Sequence, residues 1–162
     1  MKKELLEKLK QKCQACKSCE LSLTRSNVVF ADGNPDTAKV VLIGEAPGQN
    51  EDLSGVPFVG RAGKFLDECL SKAGLSREKD IYIINTVKCR PPQNRVPSLI
   101  EKAACEHFML EQIEIVDPKI ILFCGATALK SFSNGTVWDK EAISKIRGDI
   151  FEIEVKGKKY YA

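Results

Sequence analysis

The sequence predicts a three-layer α/β/α fold around a central, mostly parallel sheet. Three short continuous apolar runs are rich in β-branched residues, and apolar residues at helical spacing lie between them. Parallel strands are joined by helices that cover both faces of the sheet, so their apolar runs are continuous rather than alternating. The length of 162 residues suits one domain, and we expect residues 1–162 to fold as a single unit.

The predicted strands are 39–44, 81–84 and 119–124; the first ends at Gly44, and Asn85 and Gly125 follow the other two. The last segment, 150–161, indicates a hairpin that turns at Lys156 and Gly157. In open parallel sheets, ligands bind beyond the carboxyl ends of the strands. The polar segments at those ends are therefore expected to converge on one site; they are 44–48, 85–89 and 125–127.

Three helices are predicted from apolar residues spaced three or four apart. The apolar positions are Leu5, Leu6 and Leu9; Phe65, Leu66, Cys69, Leu70 and Ala73; and Ile100, Ala104 and Phe108. The first helix is too charged for a signal peptide or a membrane span, so we expect a soluble cytoplasmic protein without membrane contact. A net charge of +3 permits a nucleic-acid partner but does not require one.

Seven cysteines are the unusual feature of the composition. An odd number without an export signal argues against disulfides and leaves metal binding or burial. Cys13, Cys16 and Cys19 form two overlapping C-x2-C pairs, and Cys89 and Cys105 lie far along the chain. Two thiolates from each region could hold an iron-sulfur cluster or zinc, and spacing does not decide between them.

The other two cysteines and the single histidine fall inside predicted elements. Cys69 lies among apolar helix positions and Cys124 ends an apolar strand, so both are expected to be ordinary buried thiols. His107 follows Cys105 by two positions on a predicted helix, which places it at the surface.

A series of short motifs runs along nearly the whole chain in a fixed order. They are Cys16-Lys-Ser-Cys19-Glu-Leu21 with Arg25, Gly44-Glu-Ala-Pro-Gly48, Glu51-Asp52, Pro57-Phe-Val-Gly60, Ala62-Gly63, Asn85-Thr-Val-Lys-Cys-Arg-Pro-Pro92, Gly125-Ala-Thr-Ala128 and Lys145-Ile-Arg-Gly148. Each motif by itself is weak evidence for any one family. Together, in this order, they resemble the iron-sulfur uracil-DNA glycosylases of family four.

This resemblance implies a [4Fe-4S] cluster held by two N-terminal cysteines, the cysteine before the two prolines and one on the next helix. Counted back from Arg25, the family pattern falls on Cys16 and Cys19 and leaves Cys13 over. Cys89 and Cys105 supply the remaining ligands.

The resemblance further implies hydrolysis of the N-glycosidic bond of deoxyuridine in DNA, after the base has been flipped from the stack. The Asn85 amide can donate to uracil O4 and accept from N3–H, whereas cytosine inverts both positions. Phe58 matches the ring that the family stacks on uracil. We assign Gly44 and Ala46 to the same base-binding pocket.

Bond cleavage needs a carboxylate that stabilises the oxocarbenium-like sugar or orients water. The resemblance puts a functional acid at Glu45, and the best-known uracil glycosylases carry an aspartate one residue later, where this chain has Ala46. The role is therefore open between Glu45 and the pair Glu51 and Asp52. We favour Glu45, retain Glu51 as a second catalytic candidate, and note that either member of the pair could instead cap a loop or helix.

The expected partner is uracil-containing DNA, single- or double-stranded, bound by a monomer. Candidates for phosphate contacts are Arg90, Arg95, Lys145 and Arg147, with solvated loop arginines as the alternative.

One family feature is missing from the sequence. Family members carry a late histidine-proline motif whose histidine bonds uracil and whose leucine wedges into the duplex, but this chain stops at Ala162. We therefore expect a C-terminally truncated chain with reduced activity. The alternative is a non-catalytic, cluster- or zinc-stabilised DNA-binding module; a redox enzyme is disfavoured because no nucleotide fingerprint is present.

Overall fold

A six-stranded sheet forms the centre of the protein in the computed structural model, which describes residues 1–132 and 142–162. The strands are β1 Asp32–Gly33, β2 Val40–Gly44, β3 Ile81–Asn85, β4 Ile120–Phe123, β5 Glu152–Val155 and β6 Lys158–Tyr161. Their spatial order is β1-β3-β2-β4-β6-β5. Strands β3, β2, β4 and β6 run parallel, and β1 and β5 are antiparallel edges. The predicted mostly parallel sheet is confirmed.

Helices precede the first strand and lie in the connections between later strands. They are α1 Lys2–Ala15, α2 Leu21–Thr24, α3 Gln49–Ser54, α4 Arg61–Lys72, α5 Leu99–Val116, α6 Ala126–Lys130, α7 Ile143–Ile146 and a 3-10 turn at Pro92–Asn94. In the part of the chain that the structure describes, none of them combines the length and the apolar character needed to cross a membrane.

Side chains of the central strands alternate between two apolar clusters, as the strand period of two requires. Val41, Ile43 and Ile84 belong to a cluster that includes buried residues of α1 and α5. Leu42 and Ile83 belong to the other cluster, which includes Leu66 and Leu70 of α4. Helices therefore pack on both faces of the sheet, and the three-layer prediction is confirmed.

The apolar face predicted for α4 included residues that are exposed in the structure. Leu70 is buried and Leu66 half-buried, but Phe65 is 67% exposed and Cys69 is exposed. At about 100° per residue, one helix face cannot hold all the apolar positions, and those that face solvent are set by the direction from which the sheet approaches. The prediction that Cys69 is a buried thiol was wrong; Cys124 is half-buried.

In the other two helices, some residues of the predicted apolar face are also exposed. In α1, Leu6 and Leu9 are buried while Leu5 is 47% exposed. In α5, Phe108 is buried, but Ile100 lies in the first turn and is 79% exposed. His107 is exposed, as predicted.

Side chains on one face of strand β4 are more exposed than those of β2 and β3. Ile120 and Leu122 are each 45% exposed, whereas Ile121 between them is fully buried. The expectation that every parallel strand is covered on both faces was wrong for β4 as far as the described residues go. Its connection to β6 is also narrow, because Ile120 opposite Tyr161 is the register pair that joins these strands.

Candidate active site

A cleft of about 460 Å³ lies at the carboxyl ends of β2 and β3. The residues that line it are Glu45, Ala46, Gly48, Gln49, Asn50, Glu51, Phe58, Gly60, Arg61, Ala62, Asn85 and Asn94. Two of the three segments predicted to converge, 44–48 and 85–89, contribute to it. The third does not: Gly125 lines a second, apolar cavity of about 540 Å³ beside β4.

Gly44 lets two of the predicted site residues approach the backbone. A Cβ atom at this position would lie 2.5 Å from Asn85 Oδ1 and 2.6 Å from two ring atoms of Phe58. No side-chain atom fits at those separations, so the glycine is required by close approach. The structure thus brings the Phe58 ring and the Asn85 amide together over Gly44.

Asn85 is the last residue of β3 and is only 2% exposed, yet it lines the cleft. Its backbone carbonyl accepts a hydrogen bond from Lys88 Nζ at 2.7 Å. Within residues 1–132 and 142–162, no hydrogen bond to its side-chain amide is found, so one acceptor and two N–H donors remain available to a ligand.

Glu45 stands on a backbone segment that is tied to the neighbouring strand end. Thr86 Oγ1 donates to the Glu45 carbonyl, and Thr86 N donates to the Gly44 carbonyl at 2.9 Å. The Glu45 side chain is half-buried and its carboxylate has no hydrogen-bond partner among the described residues. A carboxylate held by its backbone, with both oxygens unused, can orient a water molecule or stabilise a positive charge.

Glu51 and Asp52 are already engaged with backbone amides. Glu51 Oε1 accepts from Val59 N at 3.1 Å and from Gly60 N at 2.9 Å, which are the peptides just before α4. Asp52 is buried and accepts from Ser26 N at 2.9 Å. Of the three acids, Glu45 is the one whose carboxylate is not engaged by the described backbone.

The cysteines of the predicted ligand set line one cavity together with Cys13, Arg25 and Lys88. Cys13, Cys89 and Cys105 are buried, and Cys16 and Cys19 are half-buried. The space between these groups is about 10 Å³, which is room for about one water molecule. Across the described ranges, no three or more His, Cys, Asp or Glu side chains are arranged to hold a metal ion.

Two cationic side chains lie against these thiols. Arg25 Nη1 donates to Cys89 Sγ at 3.0 Å. Lys88 is fully buried, and its backbone N–H donates to Cys105 Sγ at 3.3 Å. Burial lowers the pKa of Lys88 to about 8, and burial raises the pKa of Cys13 to about 12 and that of Cys105 to about 11.

Sequence reasoning missed Lys88, although it stands between two residues that were predicted to be functional, Asn85 and Cys89. A lysine at the end of an apolar strand is usually solvated. Its burial depends on the approach of α1 and α5, which no local pattern reveals.

The predicted DNA-contact residues are spread over two regions. Arg90 Nε donates to Asn94 Oδ1 at 2.7 Å, and Asn94 lines the cleft. Arg95 makes a bidentate salt bridge with Glu101, with N–O distances of 2.6 and 2.8 Å. Lys145 and Arg147 are exposed at α7, and Arg147 lines the second cavity rather than the cleft.

Comparison with known proteins places the chain among the uracil-DNA glycosylases. Residues 30–159 match the family model of the uracil DNA glycosylase superfamily. The chain is 50% identical over 148 residues to a type-4 uracil-DNA glycosylase of Thermotoga maritima, covering 91% of this chain and 74% of the relative. It is 41% identical over 156 residues to a type-4 uracil-DNA glycosylase of Archaeoglobus fulgidus, covering 96% and 77%. A Sulfurisphaera tokodaii protein of the same name is 41% identical, covering 94% and 69%.

Proposed function

The chain belongs to the uracil DNA glycosylase superfamily and, within it, to the type-4 uracil-DNA glycosylases, and from this we propose that it hydrolyses the N-glycosidic bond of deoxyuridine in DNA. The observation that carries the proposal is the cleft at the ends of β2 and β3, where Glu45, Phe58 and Asn85 share one lining. A flipped base needs a pocket with a flat apolar surface, a polar edge and a nearby acid, and these three side chains provide one of each.

Asn85 is proposed to read the uracil edge. Its Nδ2 would donate to O4 and its Oδ1 would accept from N3–H, which uses the amide groups that have no partner among the described residues. Cytosine offers a donor and an acceptor in the reverse order, and would leave buried polar groups unpaired. Negative charge grows on uracil as the bond breaks, so the bond from Nδ2 strengthens in the transition state.

Glu45 is proposed as the acid that acts on the sugar side. Its carboxylate can stabilise the oxocarbenium-like sugar and orient the attacking water, since the described backbone does not occupy its oxygens. Glu51 is proposed to act indirectly, by holding the peptides that follow Phe58.

The test is excision of uracil from single-stranded and duplex DNA under single-turnover conditions. We expect Glu45→Gln and Asn85→Ala each to lower the rate by about a hundredfold or more. Glu68→Gln, on the exposed side of α4, is the matched control and should keep the normal rate. A folded wild-type protein that binds DNA but releases no uracil would instead support the non-catalytic DNA-binding module.

We also propose that Cys16, Cys19, Cys89 and Cys105 hold a [4Fe-4S] cluster. The thiol set suits the group, and Arg25 and Lys88 supply positive charge beside it. When bound, the cluster would cross-link the end of α1 to the segment after β3 and to α5.

Iron and sulfide analysis of anaerobically purified protein tests this assignment. We expect iron and sulfide in similar amounts, with broad absorption at about 400 nm. Cys89→Ala should lose both, whereas Cys69→Ala, at an exposed position outside the cavity, should keep them. Stoichiometric zinc without iron would contradict the cluster.

Phosphate contacts are proposed for Arg90, Arg95, Lys145 and Arg147. Arg90 is the best supported, because its partner Asn94 lines the cleft. Removing a phosphate contact should weaken binding to all sequences alike and reduce its salt dependence.

A further inference from the structure

Arg77 lies outside the cleft lining but binds the backbone that carries Phe58. Its Nη1 donates to the Phe58 carbonyl at 2.8 Å, and its Nη2 donates to the Pro57 carbonyl. Two aspartates hold the guanidinium from other elements: Nε donates to Asp32 of β1 at 2.8 Å, and Nη1 to Asp67 of α4 at 3.0 Å. Arg77 therefore ties the Phe58 turn to the sheet edge and to α4.

The turn that Arg77 holds has a backbone conformation that rarely forms unaided. Phe58 has φ +53°, in the left-handed region that bulky residues seldom adopt. A Cβ atom on Gly63 would lie 1.8 Å from the Phe58 carbonyl oxygen, so α4 packs directly against this peptide. Glu51 binds the next two N–H groups, at Val59 and Gly60. Arg77 holds the carbonyls of the turn and Glu51 its amides, and a conformation of this kind persists only where its surroundings determine it.

The position of the Phe58 ring depends on this turn. The ring lies over the Gly44 backbone beside the Asn85 amide, and it packs on the cluster that contains Leu42. If the two carbonyls lost their donor, the turn could relax toward a more common φ and the ring would leave this place.

We propose that Arg77 is a positioning residue that fixes the Phe58 ring for uracil stacking by binding the Pro57 and Phe58 carbonyls. The inference rests on the proposed function, because it assigns the ring a role in base binding. A lysine cannot replace the arginine, since one ammonium group cannot present a planar fork to two carbonyls and two carboxylates at once.

A double-mutant cycle with Phe58 separates positioning from general support. Arg77→Met should lower kcat/KM for single-stranded uracil DNA by about tenfold, in the range of couplings between contacting residues. In a Phe58→Ala background the same change should cost less than about twofold, because the group it positions is gone. An equal loss in both backgrounds would overturn the proposal. Arg77→Lys should fail to restore the rate, and Glu114→Gln, which breaks an exposed ion pair with Lys156 at 2.7 Å, should leave it unchanged.

A second variant and a second readout cover failure to fold and failure of the proposed function. Asp67 is 52% exposed, so Asp67→Asn loosens the guanidinium without exposing the carbonyls and should give a smaller loss with the same dependence on Phe58. In protein labelled with 4-fluorophenylalanine, the Phe58 resonance should shift and broaden in Arg77→Met and stay unchanged in Glu114→Gln. This spectrum needs no excision: an unchanged resonance overturns the role of Arg77, whereas an inactive wild type overturns only the proposed function.

Discussion

The cleft and the cysteine cavity both include residues of the segment 85–89, but their polar groups differ in how they are paired. In the cleft, the Glu45 carboxylate and the Asn85 amide have no partners among the described residues, while the backbone around them is tied down. In the cysteine cavity, thiols are packed against the cationic Arg25 and the buried Lys88. The cleft is organised by protein contacts alone, whereas the cavity carries positive charge that neutral thiols do not balance. We expect the second site to become favourable when its sulfur atoms are ionised or bind the proposed cluster.

The largest effect is expected at Asn85, which is proposed to bind the base. Asn85→Ala should lower uracil excision by about a hundredfold or more, because a buried edge contact is worth about 1–3 kcal/mol and strengthens in the transition state. The midpoint of thermal unfolding should change little, since the amide has no partner in the described protein. Single-turnover rates and a melting curve measure the two quantities, and a normal rate would remove Asn85 from the site.

Lys88 tests whether the two regions are coupled. Its Nζ bonds the Asn85 carbonyl at 2.7 Å while its side chain lines the cysteine cavity. Lys88→Met should reduce bound iron by at least about half and slow excision by about tenfold. The cysteine cavity loses its buried positive charge, and the Asn85 carbonyl loses its hydrogen-bond donor. Lys72→Met, on the exposed end of α4, is the control. A change in one quantity without the other would show that the sites are independent.

Gly44 tests how closely the cleft is packed. A methyl group there would meet the Asn85 amide and the Phe58 ring at 2.5–2.6 Å, so Gly44→Ala must displace at least one of them. We expect excision to fall by about tenfold with a cost in stability of about 1–3 kcal/mol. Competition by free uracil provides the measurement: unchanged inhibition would mean that neither side chain contacts the base.

The smallest effect concerns the edge of the cysteine region, where Glu101 opens α5. The hydrogen bond from the Arg95 guanidinium lowers the pKa of the Glu101 carboxyl to about 2, although burial acts to raise it. The Ser98 backbone N–H, which donates to Glu101 Oε2 at 2.7 Å, also lowers this pKa. Because the folded-state pKa is depressed, this contribution is present above the ordinary glutamate pKa and is lost as pH falls toward 2. Glu101→Gln should lower the free energy of unfolding at pH 7 by about 1–2 kcal/mol, allowing for the partly exposed Arg95.

Urea unfolding of both proteins from pH 7 to pH 2.5 measures this difference. The two curves should approach each other at the acid end. A gap that stays constant with pH would mean that the capping-box geometry matters and the charge does not.

Strands β2, β3 and β4 were predictable because their β-branched runs are local signals, and the hairpin was found from its turn at Lys156 and Gly157. The two-residue edge strand β1 carries no such signal and was not predicted. Helix faces were less predictable. In α4 the sequence offers Phe65 and Cys69 as readily as Leu70, and the packing direction of the sheet selects between them.

The cleft side chains were predictable from the strand ends and from the family resemblance, but their supports were not. Arg77 reaches Asp32 across 45 positions and Phe58 across 19 positions. Contacts over such separations leave no periodic trace in one sequence. The same reason explains why the third polar segment, at Gly125, was wrongly expected in the cleft.

The narrow connection between β4 and β6 has a consequence for local opening. β2 is bonded along its length to β3 and β4, so its amides should exchange with solvent only when the whole sheet unfolds. The β5–β6 hairpin is joined to β4 at Ile120 and Tyr161, and it also packs on the cluster that contains α5 through Val155 and Tyr160. Because its bonding to the sheet is much shorter than that of β2, it should detach as a cooperative unit at a lower free energy than β2. Native-state hydrogen exchange should show its amides sharing one opening event that leaves β2 protected.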